Sequence, residues 1–167
     1  MGLSEDLEKI EMQERELRLP CLDAHLAWDL GSQIRTISLG RGLALVIDVR
    51  RFGHPLFYSA LDGTTPDNTE WVRRKSNVVA RFYRSSYAVG LTLKTKGTTL
   101  LERYGLPAAD YAADGGSFPL AVEGAGLVGS VTVSGLPQRD DHNLAVEGLC
   151  AILGRDFAAL RLEPEPA

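Results

Sequence analysis

Asp140, Asp141 and His142 stand in a row inside "VSGLPQRDDHNLAVEGL", Val133 to Leu149, and all three are residue types that bind metals or move protons. Neighbours on a helix point about 100° apart, so these three cannot converge on one ion as residues three or four apart could. The pattern instead predicts a helix start. One aspartate acts as the N-cap, accepting hydrogen bonds from free backbone N–H groups, and the second interacts with the helix dipole. The functional alternative places Asp141 or His142 at the mouth of the strand-to-helix turn, touching a ligand or a neighbouring subunit. His25 and His54, the other two histidines, are far apart in sequence and read as solvated. No metal site is expected, because nothing in the spacing gathers ligands.

The second group of interest is basic. In "DGTTPDNTEWVRRKSNVVARFYRS", Thr65 before Pro66 predicts an N-cap followed by proline at the first helical position, with Asp67 in the positive first turn. Trp71, Val78 and Phe82 then fall in line, and Lys75 lies inside their apolar stripe. Arg74 and Arg81 share another face, with Asn77 between them. Lys75 has two readings. It can run its stem along Trp71 and Phe82 with its ammonium in water, or it can line a pocket and receive a carboxylate.

Two glycine-bearing stretches complete the candidates. Gly115-Gly116 is either an anion-binding nest or a strained strand start. Ser134-Gly135 lacks the G-x-S-x-G of a nucleophile elbow, since Thr132 and Leu136 stand where glycines belong, and so predicts a tight turn. No nucleophile, base and orienting group can be assembled from these motifs, so no catalytic residue is assigned and the question of enzyme activity stays open.

The elements that must position these residues follow from pattern. "LSEDLEKIEMQEREL" is an amphipathic helix with Leu3, Leu7, Ile10 and Leu17 on a narrow stripe, which suits an edge of the domain or a second subunit. A second helix starts at Asp23 and stops at Gly40. Leu43–Val49 and Leu56–Leu61 read as two strands of a hairpin, and Phe118–Val122 and Leu127–Ser134 as a second. In Ser85–Gly97 the alternation of "VGLTL" suggests a strand while Ser85 or Ser86 could cap a helix, and the helix is the expectation; "TTLLERYGLP" reads as a short helix, and a last helix runs from Asp140 or Asp141 to Phe157. The expected fold is α+β, a mostly antiparallel sheet flanked by helices. Residues 1–20 form the N-terminal helix segment, 21–160 a single domain and 161–167 a flexible tail.

Bulk properties narrow the function classes. Eighteen basic against 22 acidic residues give a net charge of −4, so no global field attracts nucleic acid or an anionic membrane. Two cysteines, Cys21 and Cys150, make neither a disulfide framework nor a zinc site and suit a reducing compartment. The charged N-terminus does not read as a signal peptide and no apolar run reaches membrane-spanning length, so the expected location is the cytoplasm.

"LALVIDVRRFGHPLFYSALDGTTPDNTEWVRRKSNVVARFYRSS" together with "GGSFPLAVEGAGLVGSVTVSGLPQRDDHNLAVEGL" resembles the haem-degrading-domain family, also called HbpS-like or GlcG-like, over roughly residues 40–153. The glycine pair, Pro119, Gly129 and the "VSG" turn before an acidic helix start carry that resemblance in combination. It implies the α+β fold, a homo-oligomer, and haem as a candidate cofactor, since some members bind haem and promote its degradation. Under that implication the carboxylate received by Lys75 is a haem propionate or a small organic acid. The site then comprises Lys75, Arg74, Trp71, Gly115, Gly116, Ser134, Gly135, Asp141 and His142. The competing expectation is a non-enzymatic assembly or adaptor protein acting through the charged N-terminal helix.

Overall fold

A computed structural model describes residues 2–165; Met1 of the expected helix segment and residues 166–167 of the expected tail lie outside the described residues. The chain runs α1 (Leu3–Glu16), β1 (Arg18–Leu19), α2 (Ala24–Gly40), β2 (Val46–Arg51) and β3 (His54–Ala60). It continues through α3 (Pro66–Phe82), α4 (Ser86–Lys96), α5 (Leu100–Tyr104), β4 (Ser117–Val122), β5 (Gly126–Ser134), α6 (Gln138–Leu153) and α7 (Phe157–Leu160). The strands lie in the order β1-β4-β5-β2-β3. Both expected hairpins form, and β2 pairs antiparallel with β5 to join them. The sheet is therefore mostly antiparallel. Its one parallel pair is β1 on β4, a two-residue strand too short to leave a periodic signal.

The two faces of the sheet differ in chemistry. Ile47, Val49, Phe57, Phe118, Leu120, Val131 and Val133 point one way and pack under α2 and α6 as the main core. On the opposite face Ser117 pairs with Thr132, Thr132 with Asp48 and Asp48 with Tyr58 across four strands, while Ser130 pairs with Arg50. Helix α3 covers this polar face, and the Tyr58 hydroxyl meets Thr69 Oγ1 at 2.6 Å. Asp48 is fully buried there, and Arg50 grips it with two hydrogen bonds of 2.7 and 2.8 Å. Ser117 and Thr132 bond hydroxyl to hydroxyl at 2.8 Å. A buried sheet face of this kind holds only if its polar groups find partners. Ser130 Oγ, without one, is the exception.

Helix α1 belongs to the same body. Its inward residues Ile10, Leu3 and Leu7 join Tyr87, Ala88 and Leu91 of α4 and Leu162 in a second core. The Asp6 carboxylate receives two hydrogen bonds from the Arg139 guanidinium, at 2.8 and 2.9 Å, with both side chains buried. Gln13 Nε2 donates to the Leu160 carbonyl at 2.6 Å. The expected flexible tail is corrected as far as Glu163. Leu162 is wholly buried, exchanges two 2.9 Å bonds with the Asn143 side chain, and is followed by the Glu163 carbonyl, which accepts from Arg139 Nε at 2.6 Å. The expected last helix to Phe157 is also two helices, because Gly154 caps α6 at a φ of 65°.

Removing one member of a buried ion pair leaves the other charged and unsolvated. Asp6→Ala should therefore destabilise the protein by about 3–5 kcal/mol in urea denaturation, while Asp6→Leu combined with Arg139→Met recovers most of the loss. A single-variant loss below about 1 kcal/mol would show that the fork does not hold α1 in place.

Candidate functional site

The turn between β5 and α6 is tied from inside by Asp141. Helix α6 starts at Gln138 with Pro137 as its N-cap, so the expectation that Asp140 or Asp141 caps the helix is corrected. The Asp141 carboxylate accepts hydrogen bonds from the Leu136 N–H at 2.9 Å and the Gly135 N–H at 3.4 Å, groups of the preceding turn and not of the helix. Its third partner is Lys75 of α3, whose ammonium lies 3.0 Å from Asp141 Oδ2. Lys75 also donates to the Val133 carbonyl at 3.3 Å. The Lys75 side chain is 4% exposed and that of Asp141 2%, so the reading in which Lys75 carries its head into water is also corrected.

Gly116 explains how the ammonium fits. It sits at a φ of 136°, and a Cβ there would stand 2.8 Å from Lys75 Nζ and closer still to the Val133 carbonyl. Only glycine lets the strand start pass behind this pair. The Gly115 N–H donates to Gln138 Oε1 at 3.0 Å, so this amide is occupied and does not form an open anion nest.

Around the pair lies a pocket of about 300 Å³ in which Trp71, Lys75, Ser134, Gly135 and Asp141 meet Asn68, Gln138 and Asp114. Two of these side chains are oriented by backbone donors. The Thr65 N–H binds Asn68 Oδ1 at 2.9 Å and the Gly115 N–H binds Gln138 Oε1, which leaves both side-chain NH₂ groups as donors. With the Ser134 hydroxyl and the Lys75 ammonium, the pocket carries a set of donors suited to an oxygen-bearing ligand. Asn68 and Gln138 are the members that residue patterns missed. Asn68 had a signal, three residues after the Thr65 N-cap, whereas Gln138 depends on a tertiary contact.

Two of the expected residues stand elsewhere. Arg74 lies over the Trp71 ring, its guanidinium carbon 4.1 Å from the ring centre, and lines a different cavity. His142 is completely buried between the rings of Tyr87 and Phe118, 5.4 and 5.8 Å away, so its expected place at the mouth of the turn is corrected. Its Nε2 meets Gln13 Oε1 at 2.8 Å. Gln13 already donates its amide nitrogen to Leu160, so the proton is on His142 Nε2 and Nδ1 is a buried lone pair without a partner. His25 and His54 are exposed, and His25 lies 3.7 Å from Asp29. Among the described residues no group of three or more histidine, cysteine, aspartate or glutamate side chains is placed to hold a metal.

A family model described as "Haem degrading protein HbpS-like" matches residues 22–150. The chain belongs to this HbpS-like family. Within it, the chain is 59% identical over 162 residues to a UPF0303 protein of Burkholderia mallei, covering 97% of this chain and 98% of that relative. Among solved structures, the Ybr137w protein matches at 30% identity with a TM-score of 0.80, covering 89% of this chain and 88% of that one. The PduOC:Heme complex matches at 14% identity with a TM-score of 0.68, over 78% and 94% of the two chains, and so shares the HbpS-like fold.

Burial sets the protonation of two neighbours in opposite directions. Loss of water pushes the Asp141 carboxyl from its usual 3.8 up to about 6, against the pull of the Lys75 ammonium and the two backbone N–H groups. Burial, helped by the Arg139 charge, pushes His142 from its usual 6.5 down to about 3. The stability linked to Asp141 is fully present below pH 3.8 and lost as pH rises through 6. That linked to His142 is present above pH 6.5 and lost as pH falls through 3. Between pH 6 and 4 the two oppose each other. As pH falls over that window, Asp141→Asn should lose stability more steeply than the wild type and His142→Gln less steeply, measured by urea denaturation at stepped pH. Parallel slopes for all three proteins would contradict these assignments.

Proposed function

We propose that the protein is a cytoplasmic, homo-oligomeric ligand-binding domain whose pocket between α3 and the β5–α6 turn takes a small organic acid. The observation that carries this reading is the buried Lys75 ammonium at the floor of a pocket whose other polar groups are mainly donors. A carboxylate arriving there competes with Asp141 for the ammonium. Protonating Asp141 frees Lys75 from its internal counter-ion, so anion binding and proton uptake favour each other.

Haem suits this pocket poorly. A porphyrin needs a broad apolar slot, and here only Trp71 and Leu136 are apolar; no histidine, cysteine, methionine or tyrosine lines it to reach an iron. The small acid is therefore favoured over a haem propionate as the partner of Lys75.

Assembly is supported by a different surface. Trp28 of α2 is 62% exposed while its ring meets Phe57 edge-on at 5.4 Å, and β3 beside it is an edge strand. Such an edge invites covering. The adaptor reading through the N-terminal helix has less support, since α1 directs its apolar stripe into its own chain. A reducing compartment agrees with free Cys21 and Cys150, and no described helix is long and apolar enough to cross a membrane.

A Trp28→Phe protein leaves Trp71 as the single tryptophan, inside the pocket wall, and excitation at about 295 nm reads it apart from the tyrosines. Titrating it with formate, lactate and pyruvate should give a saturable change for at least one acid. If the competent form is the one with Asp141 protonated, the apparent affinity rises roughly twenty-fold between pH 7.5 and 5.5. No saturation, or an affinity that falls on acidification, would overturn the reading. So would a saturable haemin Soret shift abolished by Lys75→Ala. Light scattering on the same samples should read a multiple of the 18.2 kDa chain, and a monomer at every concentration would remove the assembly.

A further inference from the structure

Trp71 and Asp114 are shared by the Lys75 pocket and a second, open cavity of about 600 Å³, lined by α3, α4, α5 and the chain through residues 106–114. The two spaces differ in chemistry. Leu93, Leu100 and Leu106 are buried leucines that line the second cavity, and Tyr111 adds a ring. Its cations are Arg74 and Lys94. The Trp71 ring holds the Arg74 guanidinium in a cation–π contact, its central carbon 4.1 Å from the ring centre, which restricts the side chain.

Among the described residues of these elements some cations are neutralised and others, Arg81, Lys96 and Arg103, are not, but only Arg74 and Lys94 line the cavity. Arg73 bridges Glu70 and Asp110, and Lys75 is held by Asp141. Among the described residues neither Arg74 nor Lys94 has a carboxylate within ion-pair distance, although Asp114 lies on the same cavity wall. An apolar floor with two uncompensated cations, in a volume inside the usual range for small-molecule sites, selects for a ligand with an apolar body and an anionic head. A short polar acid would leave the exposed Leu101 side chain of the cavity uncovered, and a neutral lipid would leave the cations unpaired.

We propose that this cavity is a second binding site, for an amphiphilic carboxylate of the medium-chain acyl or aryl class, with its apolar part on the leucines and its carboxylate on Arg74 and Lys94. The site shares only the Trp71 and Asp114 walls with the Lys75 pocket. Binding here depends on hydrophobic contact plus charge and needs no protonation of Asp141.

The test is a decanoate titration of the full-length Trp28→Phe protein, below the micelle-forming concentration, read by Trp71 fluorescence and by calorimetry. Saturable binding is expected, weakened at least tenfold in Arg74→Gln and in the exposed-site variant Lys94→Gln, and at least tenfold weaker for decanol than for decanoate. Ser134→Ala, at a residue that lines the smaller pocket and not the larger cavity, should leave decanoate binding unchanged, while Arg74→Gln leaves the formate, lactate and pyruvate titrations unchanged. Absence of saturable decanoate binding, equal binding of decanol, or full affinity in both Arg74→Gln and Lys94→Gln would overturn the second site without touching the first.

Discussion

The contact between Lys75 and Asp141 joins the three pieces that make the pocket. Lys75 comes from the helix over the polar face of the sheet, Asp141 from the first turns of α6, and the two backbone N–H groups bound to Asp141 from the end of β5. Neither charge has water to fall back on. An ion pair in this position is weak as a source of net stability, because desolvation offsets most of the attraction, but it fixes geometry strongly, since breaking it leaves a buried charge behind. Gly116, Gly135 and the Val133 carbonyl are arranged around that constraint.

The same logic runs through the rest of the molecule. One sheet face is an ordinary apolar core, and the other is a layer of serine, threonine, aspartate and arginine that α3 must satisfy. At the far side of α6, Arg139 and His142 meet Asp6 and Gln13 of α1, so the N-terminal helix, the last long helix and the C-terminal residues close on one another. Polar residues at these seams specify register and docking, while the leucines and valines of the core supply the bulk of the burial free energy.

Much of the architecture was legible because it rests on local rules. Thr65-Pro66 fixed the start of α3, Asp23 that of α2, and glycine turns the two hairpins. Lys75 stood out in the sequence as a cation on an apolar stripe. What it meets was not legible, since Asp141 is 66 residues away and its pairing follows from sheet order and from the way α6 leaves the sheet. Asp140, Asp141 and His142 read alike in sequence yet have three different surroundings: Asp140 is exposed, Asp141 faces the pocket, and His142 lies in the core. Asp48 inside "LALVIDV" was the visible sign of the polar face, masked by the hydrophobic run around it.

Burial holds Asp141 at the edge of protonation, beside the Lys75 ammonium that a ligand would reach. Carbon-13 NMR of the aspartate carboxyl groups, with Asp141 assigned by comparison with Asp141→Asn, reads its titration directly. A midpoint near 6 is expected in the unliganded protein. A midpoint at or below the usual 3.8 would mean that the pair is a permanent ion pair, and it would contradict the proton-coupled binding of an acid at Lys75.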